Sequence, residues 1–98
     1  MKNYHVYTAS NGLQCLQNLE EGFKGIILMD IMMPIMDGIE TIRNIVREGF
    51  IDDTKIVVLT AKKYQGEEFN DIYQHIQKYI NKPFDINELI TTIESITI

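Results

Sequence analysis

Asp30, Thr60 and Lys82 are the residues whose types could do chemistry together. Each stands at or just past the end of an apolar run: Asp30 closes "GIILMD", Thr60 closes "KIVVLT" and Lys82 follows "KYIN". An ionised carboxylate is a competent nucleophile towards a phosphoryl group, and phosphoryl transfer asks a protein mainly for positioning and for positive charge around the phosphoryl oxygens. Lys82 supplies a charge and Thr60 a hydroxyl donor. A carboxylate at the end of a buried strand is costly unless something compensates its desolvation, so Asp30 is a paired structural acid or a reactive one. Other chemistries find no support. No serine, cysteine or histidine has the partners for an acyl-transfer triad, and His5 and His75 read as surface or core-edge residues. There is no His/Cys cluster at ligand spacing and no glycine-rich phosphate loop. Met29, Met32, Met33 and Met36 read as core and loop filler. Asp52 and Asp53 read as a solvated loop, and Cys15 as a small buried residue on a helix.

The elements that must position the trio follow from the pattern of apolar residues. "YHVYTA" (Tyr4 to Ala9) reads as a strand, and Ser10 or Asn11 caps a helix carrying Leu13, Leu16 and Leu19. "GIILMD" and "KIVVLTA" are continuous apolar runs, as parallel strands buried on both faces require. Between them Ile39, Ile42, Ile45 and Val46 recur at helical spacing until Gly49. Residues from about Gln65 to Ile76 suggest a weaker, solvent-facing helix, and "KYINKPF" holds a last short strand. Asp85 with Glu88 three residues on forms a capping-box pattern, opening a helix with an Ile86, Leu89, Ile90, Ile93 stripe. The order is β-α-β-α-β-α-β-α, which implies a parallel α/β sheet with right-handed crossovers and a site at the carboxyl ends of its strands.

Composition bounds the reading. Ninety-eight residues, 45% of them hydrophobic, suit one small domain. A net charge of −5 argues against nucleic-acid and membrane-surface partners, which are themselves anionic, and favours a protein partner. The lone cysteine suits a reducing compartment, and no apolar run approaches the length of a membrane span, so a cytoplasmic location is expected.

"LMDIMMPIMDG", then "LTA", then the lysine of "YINKPF", in this order and spacing, resembles the receiver domain of two-component response regulators. The resemblance implies a doubly wound, flavodoxin-like (CheY-like) sheet. It further implies that Asp30 is the phosphoacceptor, Lys82 the cation that pairs with the phosphoryl group and Thr60 the switch hydroxyl. Tyr79 matches the switch aromatic, Ala61 the small residue beside the switch threonine, and Met32 the position whose backbone carbonyl meets the metal. It also implies a cis Lys82-Pro83 peptide. The partners implied are a sensor histidine kinase or phosphotransfer protein upstream and a protein downstream, and the domain is a signalling unit rather than an enzyme.

Two departures from the family pattern carry consequences. "YHVYTASNG" matches the family's second strand, so the first strand, its acid pair and the first helix have no counterpart here. Mg²⁺ is the cofactor the resemblance implies, yet Asp30 and the Met32 carbonyl are its only candidate ligands, which counts against binding and predicts slow or absent phosphorylation. In the family's 2-1-3-4-5 order the absent strand is central. Its neighbours must therefore pair with each other, or a second molecule must supply contacts, or the chain is an excerpt of a longer receiver, the reading favoured here. The second departure is His75-Ile76, where the family has Gly-Ala, which alters the face beside the last strand. An alternative function is a phosphorylation-independent docking or dimerisation module. A hydrolase on the same scaffold lacks a general base beside Asp30.

Overall fold

The computed structural model describes residues 5–60 and 71–96. The chain opens with strand β1 (Val6–Ala9) and helix α1 (Gly12–Glu20), followed by β2 (Gly25–Asp30) and α2 (Gly38–Arg47). A 3-10 turn at Phe50–Asp53 leads to β3 (Thr54–Thr60), and a second, Tyr73–His75, to β4 (Ile76–Asn81), before α3 (Ile86–Ile96). Caps explain the helix starts. Asn11 Oδ1 accepts from the Gln14 N–H at 2.8 Å, Asp37 Oδ1 from Glu40 at 2.8 Å and Asp85 Oδ1 from Glu88 at 2.7 Å. Each satisfies one of the N–H groups that a first turn leaves without an internal partner.

The four strands form one parallel sheet in the order β1-β2-β3-β4. Every step runs in the same direction, so right-handed crossovers place α1 and α2 on one face, where they pack on each other. That face holds the larger core: Cys15, Leu16 and Leu19 from α1, Ile39, Ile42 and Ile45 from α2, and Ile27, Met29, Ile56 and Val58 from the sheet. The opposite face buries Ile26, Leu28, Val57, Leu59 and Ile80 under Phe84 and the Leu89, Ile93 and Ile96 side of α3. β2 and β3 are thus buried on both sides, which accounts for their unbroken apolar runs.

Several expectations change. β1 lies directly against β2, with Val6 opposite Ile26 and Ala9 opposite Met29, so re-pairing of neighbours is the outcome the structure adopts. The proposed helix from Gln65 lies outside the described residues up to Asn70, and at its other end Tyr73–His75 is a 3-10 turn. Ile76 begins β4 instead of ending a helix, because its side chain packs against the larger core from the sheet edge. Leu13, Ile86 and Ile90 are exposed. The partly buried stripe of α3 runs through Leu89, Ile93 and Ile96, rotated from the expected one because these are the side chains that meet the Ile26, Leu28, Val57, Leu59 and Ile80 core.

The loop after Asp30 is held by close backbone contacts. A Cβ on Gly38 would stand 2.8 Å from the Asp30 carbonyl oxygen and 2.9 Å from Ile31 Cα, and one on Gly12 would stand 2.0 Å from Thr41 Oγ1 and 2.8 Å from the Met36 carbonyl. Only glycine lets the two helix starts approach the loop this closely. Inside the loop the Met36 N–H donates to the Pro34 carbonyl at 2.7 Å, closing a γ-turn with Ile35 at φ 70°. A β-branched residue there is strained by roughly 1–3 kcal/mol.

Ile35→Gly relieves that strain at some cost in unfolded-chain entropy, and is expected to stabilise the chain by about 1 kcal/mol, raising the melting temperature by several degrees. An unchanged or lower midpoint in thermal denaturation would contradict it. Cys15 is fully buried, and burial pushes its thiol up to about 11. At pH 8 only about a thousandth of it is thiolate, so a disulfide reagent should label the native chain only at the rate of unfolding and label the denatured chain at once.

Candidate functional site

Asp30, Thr60 and Lys82 converge at the carboxyl edge of the sheet. Asp30 is the last residue of β2, Thr60 the last of β3, and Lys82 follows Asn81, the last of β4. The register sets them side by side, with Asp30 opposite Leu59 and Thr60 opposite Asn81. The Lys82 N–H donates to the Thr60 carbonyl at 2.7 Å, extending the β3–β4 ladder by one residue. The Lys82-Pro83 peptide is cis.

Asp30 and Lys82 lie two strands apart, roughly 10 Å in the pairing direction, so the lysine side chain must cross the end of β3 to reach the acid. It does so, and Lys82 Nζ donates to Asp30 Oδ2. The other carboxylate oxygen, Oδ1, accepts from the Met32 N–H at 3.0 Å. Both side chains keep part of their surface in water, 31% for Asp30 and 39% for Lys82. The pair is therefore open to a reactant from solvent and its attraction is screened, so its importance lies in placement more than in stability. Thr60 is buried beneath the same edge at 3% exposure.

The other expected residues distribute as follows. Met32 gives its N–H to Asp30 while its side chain is 78% exposed, beside the equally exposed Ile35. Tyr79 sits on β4 opposite Val58, half-exposed, and burial, with a smaller contribution from Tyr73, raises its phenol above the ordinary value. Ala61 lies outside the described residues. Two interactions had no signal in the sequence. Arg43 on α2 makes a forked pair with Asp71, Nε to Oδ2 at 2.7 Å and a terminal nitrogen to Oδ1 at 3.0 Å, and that hydrogen bonding holds the Asp71 carboxyl below its usual range. Tyr73 and Tyr79 pack ring to ring. Both join residues separated by turns, where no helical or strand periodicity links the partners.

The residues present do not fit a tightly held Mg²⁺ ion. That ion wants near-octahedral oxygen ligation, with one or two carboxylates besides water. Among the described residues no three His, Cys, Asp or Glu side chains gather, and both oxygens of Asp30 are engaged by partners of the same chain. The arrangement instead provides one part-exposed carboxylate, the lysine paired with it and a buried threonine along a single edge.

Comparison with known proteins agrees with this picture. A sequence model of the response regulator receiver domain family matches residues 1–94. The chain is 33% identical over 96 residues to a transcriptional regulatory protein, a CpxR homolog, of Haemophilus influenzae, covering 98% of this chain and 40% of that one. It is 32% identical to the response regulator ArlR of Staphylococcus aureus, covering 97% and 42%. The chain thus spans about two-fifths of the length of these relatives. Among solved structures, a CheY-like response regulator receiver domain protein from Methanospirillum hungatei superposes with a TM-score of 0.83 at 39% identity, over 94% of this chain and 73% of that one. The receiver domain of a sensor histidine kinase from Pseudomonas aeruginosa, which has a magnesium ion coordinated in its active site cleft, superposes with a TM-score of 0.74 at 29% identity, over 94% and 75%. The fold, the trio at the sheet edge and these likenesses agree, and the chain belongs to the receiver domains of two-component response regulators.

Proposed function

We propose that residues 1–98 act as a phosphoacceptor signalling domain in which Asp30 takes a phosphoryl group from the phosphohistidine of a sensor histidine kinase or phosphotransfer protein. The observation that carries this reading is the Asp30 carboxylate at the end of β2, half-exposed and met by Lys82 from across β3. A carboxylate oxygen attacks the phosphorus, a P–O bond forms as the P–N bond breaks, and the imidazole leaves as its neutral form after taking up a proton. Lys82 offsets the repulsion between donor and carboxylate and then pairs with the added phosphoryl oxygens. Thr60 donates its hydroxyl to the same group, and Tyr79 follows it inward. Ala61 is read as the small residue next to the switch threonine in sequence.

The readout is a protein-binding face, because adding about two negative charges at this edge biases a two-state surface. Net charge −5 disfavours nucleic acid as this chain's own partner. Self-catalysed phosphorylation and dephosphorylation are slow in this reading, since among the described residues Asp30 and the Met32 carbonyl are the only candidate metal ligands. Among the described residues no helix is long and apolar enough to cross a membrane, and we place the domain in the cytoplasm beside its kinase.

Intact-mass analysis after incubation with acetyl phosphate should show a single phosphoryl adduct on the parent chain and none on Asp30→Asn. Lys82→Ala should slow its formation by about tenfold or more. An adduct of equal extent on Asp30→Asn would refute the assignment, and no adduct on any chain would leave a docking module. A Mg²⁺ titration followed by amide shifts of Asp30 and Met32 should show no saturation up to about 10 mM. Saturation well below that would mean the site assembles a donor set beyond Asp30.

A further inference from the structure

Tyr73 opens the 3-10 turn that leads into β4, and Tyr79 lies within β4 itself. Their ring centroids are 5.8 Å apart with the planes tilted by 32°, inside the range where aromatic pairs attract beyond their area of contact. Tyr73 is 63% exposed and Tyr79 38%, so the pair stands at the surface and is not part of either core. β4 is the outer strand of the sheet. The register pairs Val58 with Tyr79 and Thr60 with Asn81, which assigns Tyr79 to the same sheet face as Thr60, one strand over and two residues back. A side-chain rotation, with no slip of the strand, would therefore carry Tyr79 towards Thr60.

We infer that Tyr73 is a positioning residue for Tyr79: its ring holds Tyr79 at the outer edge of β4, and any inward turn towards Thr60 must first separate the two rings. The inference deepens the proposed function and rests on the reading of Thr60 and Tyr79 as the switch pair. Since a two-state element responds to whatever binds one state better, the ring pair opposes phosphorylation by as much as phosphorylation opposes the ring pair. Removing the Tyr73 ring shifts the outward-inward balance by about threefold to tenfold, the value of an aromatic pair. Phenylalanine at 73 keeps the ring and keeps the latch. The phenol of Tyr73 is incidental to it.

The test uses the full chain with ring-labelled tyrosine, Tyr79 being identified by the signal lost in Tyr79→Phe. In the unphosphorylated parent and in Tyr73→Phe, the Tyr79 ring should show contacts to the ring at 73 and none to the Thr60 methyl. In Tyr73→Ala, and in Tyr73→Leu should the alanine chain fold poorly, a Tyr79–Thr60 contact should appear, and the adduct formed with acetyl phosphate should rise by about threefold to tenfold. Tyr79 ring signals that stay in place when residue 73 loses its ring overturn the inference, whatever the adduct does. Ring signals that move while adduct formation stays constant overturn the coupling to the phosphoacceptor. Absence of an adduct on every chain overturns the phosphoacceptor reading alone, because the ring contacts still decide whether Tyr73 holds Tyr79.

Discussion

The carboxylate of Asp30 ends a strand whose four preceding residues are buried, and the geometry of the whole carboxyl edge can be traced to how that charge is satisfied. Sheet and helices cover β2 on both faces, so partners must come from the loop ahead or from strands alongside. One oxygen takes the Met32 N–H, which requires the loop to turn at once, and the turn is possible because Gly38 lets the start of α2 sit against the Asp30 carbonyl. The other oxygen takes Lys82, which requires β4 to end level with β2 although β3 separates them. A one-residue slip of β4 would turn Ile80 out of its core and send its neighbours to the wrong face. The hydrogen bond from the Lys82 N–H to the Thr60 carbonyl holds that register at the point where it matters.

The charges at this edge balance in pairs. One carboxylate faces one ammonium group, and no cluster of three or more acid, His or Cys side chains gathers among the described residues. Such a site has less need of a divalent cation than one built from several carboxylates, whose mutual repulsion an ion must offset. In the phosphoacceptor reading proposed above, a phosphoryl group on Asp30 would replace a single negative charge by a larger one and draw Lys82 and Thr60 towards new oxygens. In the proposed reading these three residues serve both the resting and the phosphorylated state.

Away from the site, the two faces of the sheet are treated differently. Among the described elements α1 and α2 cover one face together, while α3 covers the other, where Val6 on the edge strand and Ile86 and Ile90 on the helix stay exposed. Pairing β1 directly with β2 keeps the inner strand hydrogen-bonded on both sides. The forked Arg43–Asp71 pair joins α2 to the segment that re-enters before β4. Both groups face solvent, so its importance lies in where it holds the chain.

Much of this was legible in the residues. The unbroken apolar runs of β2 and β3, the helical spacing of Ile39, Ile42 and Ile45, and the caps at Asn11 and Asp85 are local signals, because strand burial and helix capping depend on neighbours close in the chain. The convergence of Asp30, Thr60 and Lys82 was legible too, since parallel strands joined by crossovers must bring their carboxyl ends to one edge. Other features were settled only in three dimensions. The direct β1–β2 pairing, the rotation of α3 onto Leu89, Ile93 and Ile96, and the start of β4 at Ile76 depend on which apolar surface stood uncovered once the rest had packed. The Arg43–Asp71 fork and the Tyr73–Tyr79 ring pair join residues with no shared period. By itself the sequence determined the elements and the edge where chemistry gathers, through short-range patterns of burial and capping. Tertiary structure decided which strand, which helix side and which ring meet, because those choices are made by long-range packing, to which local propensity is blind.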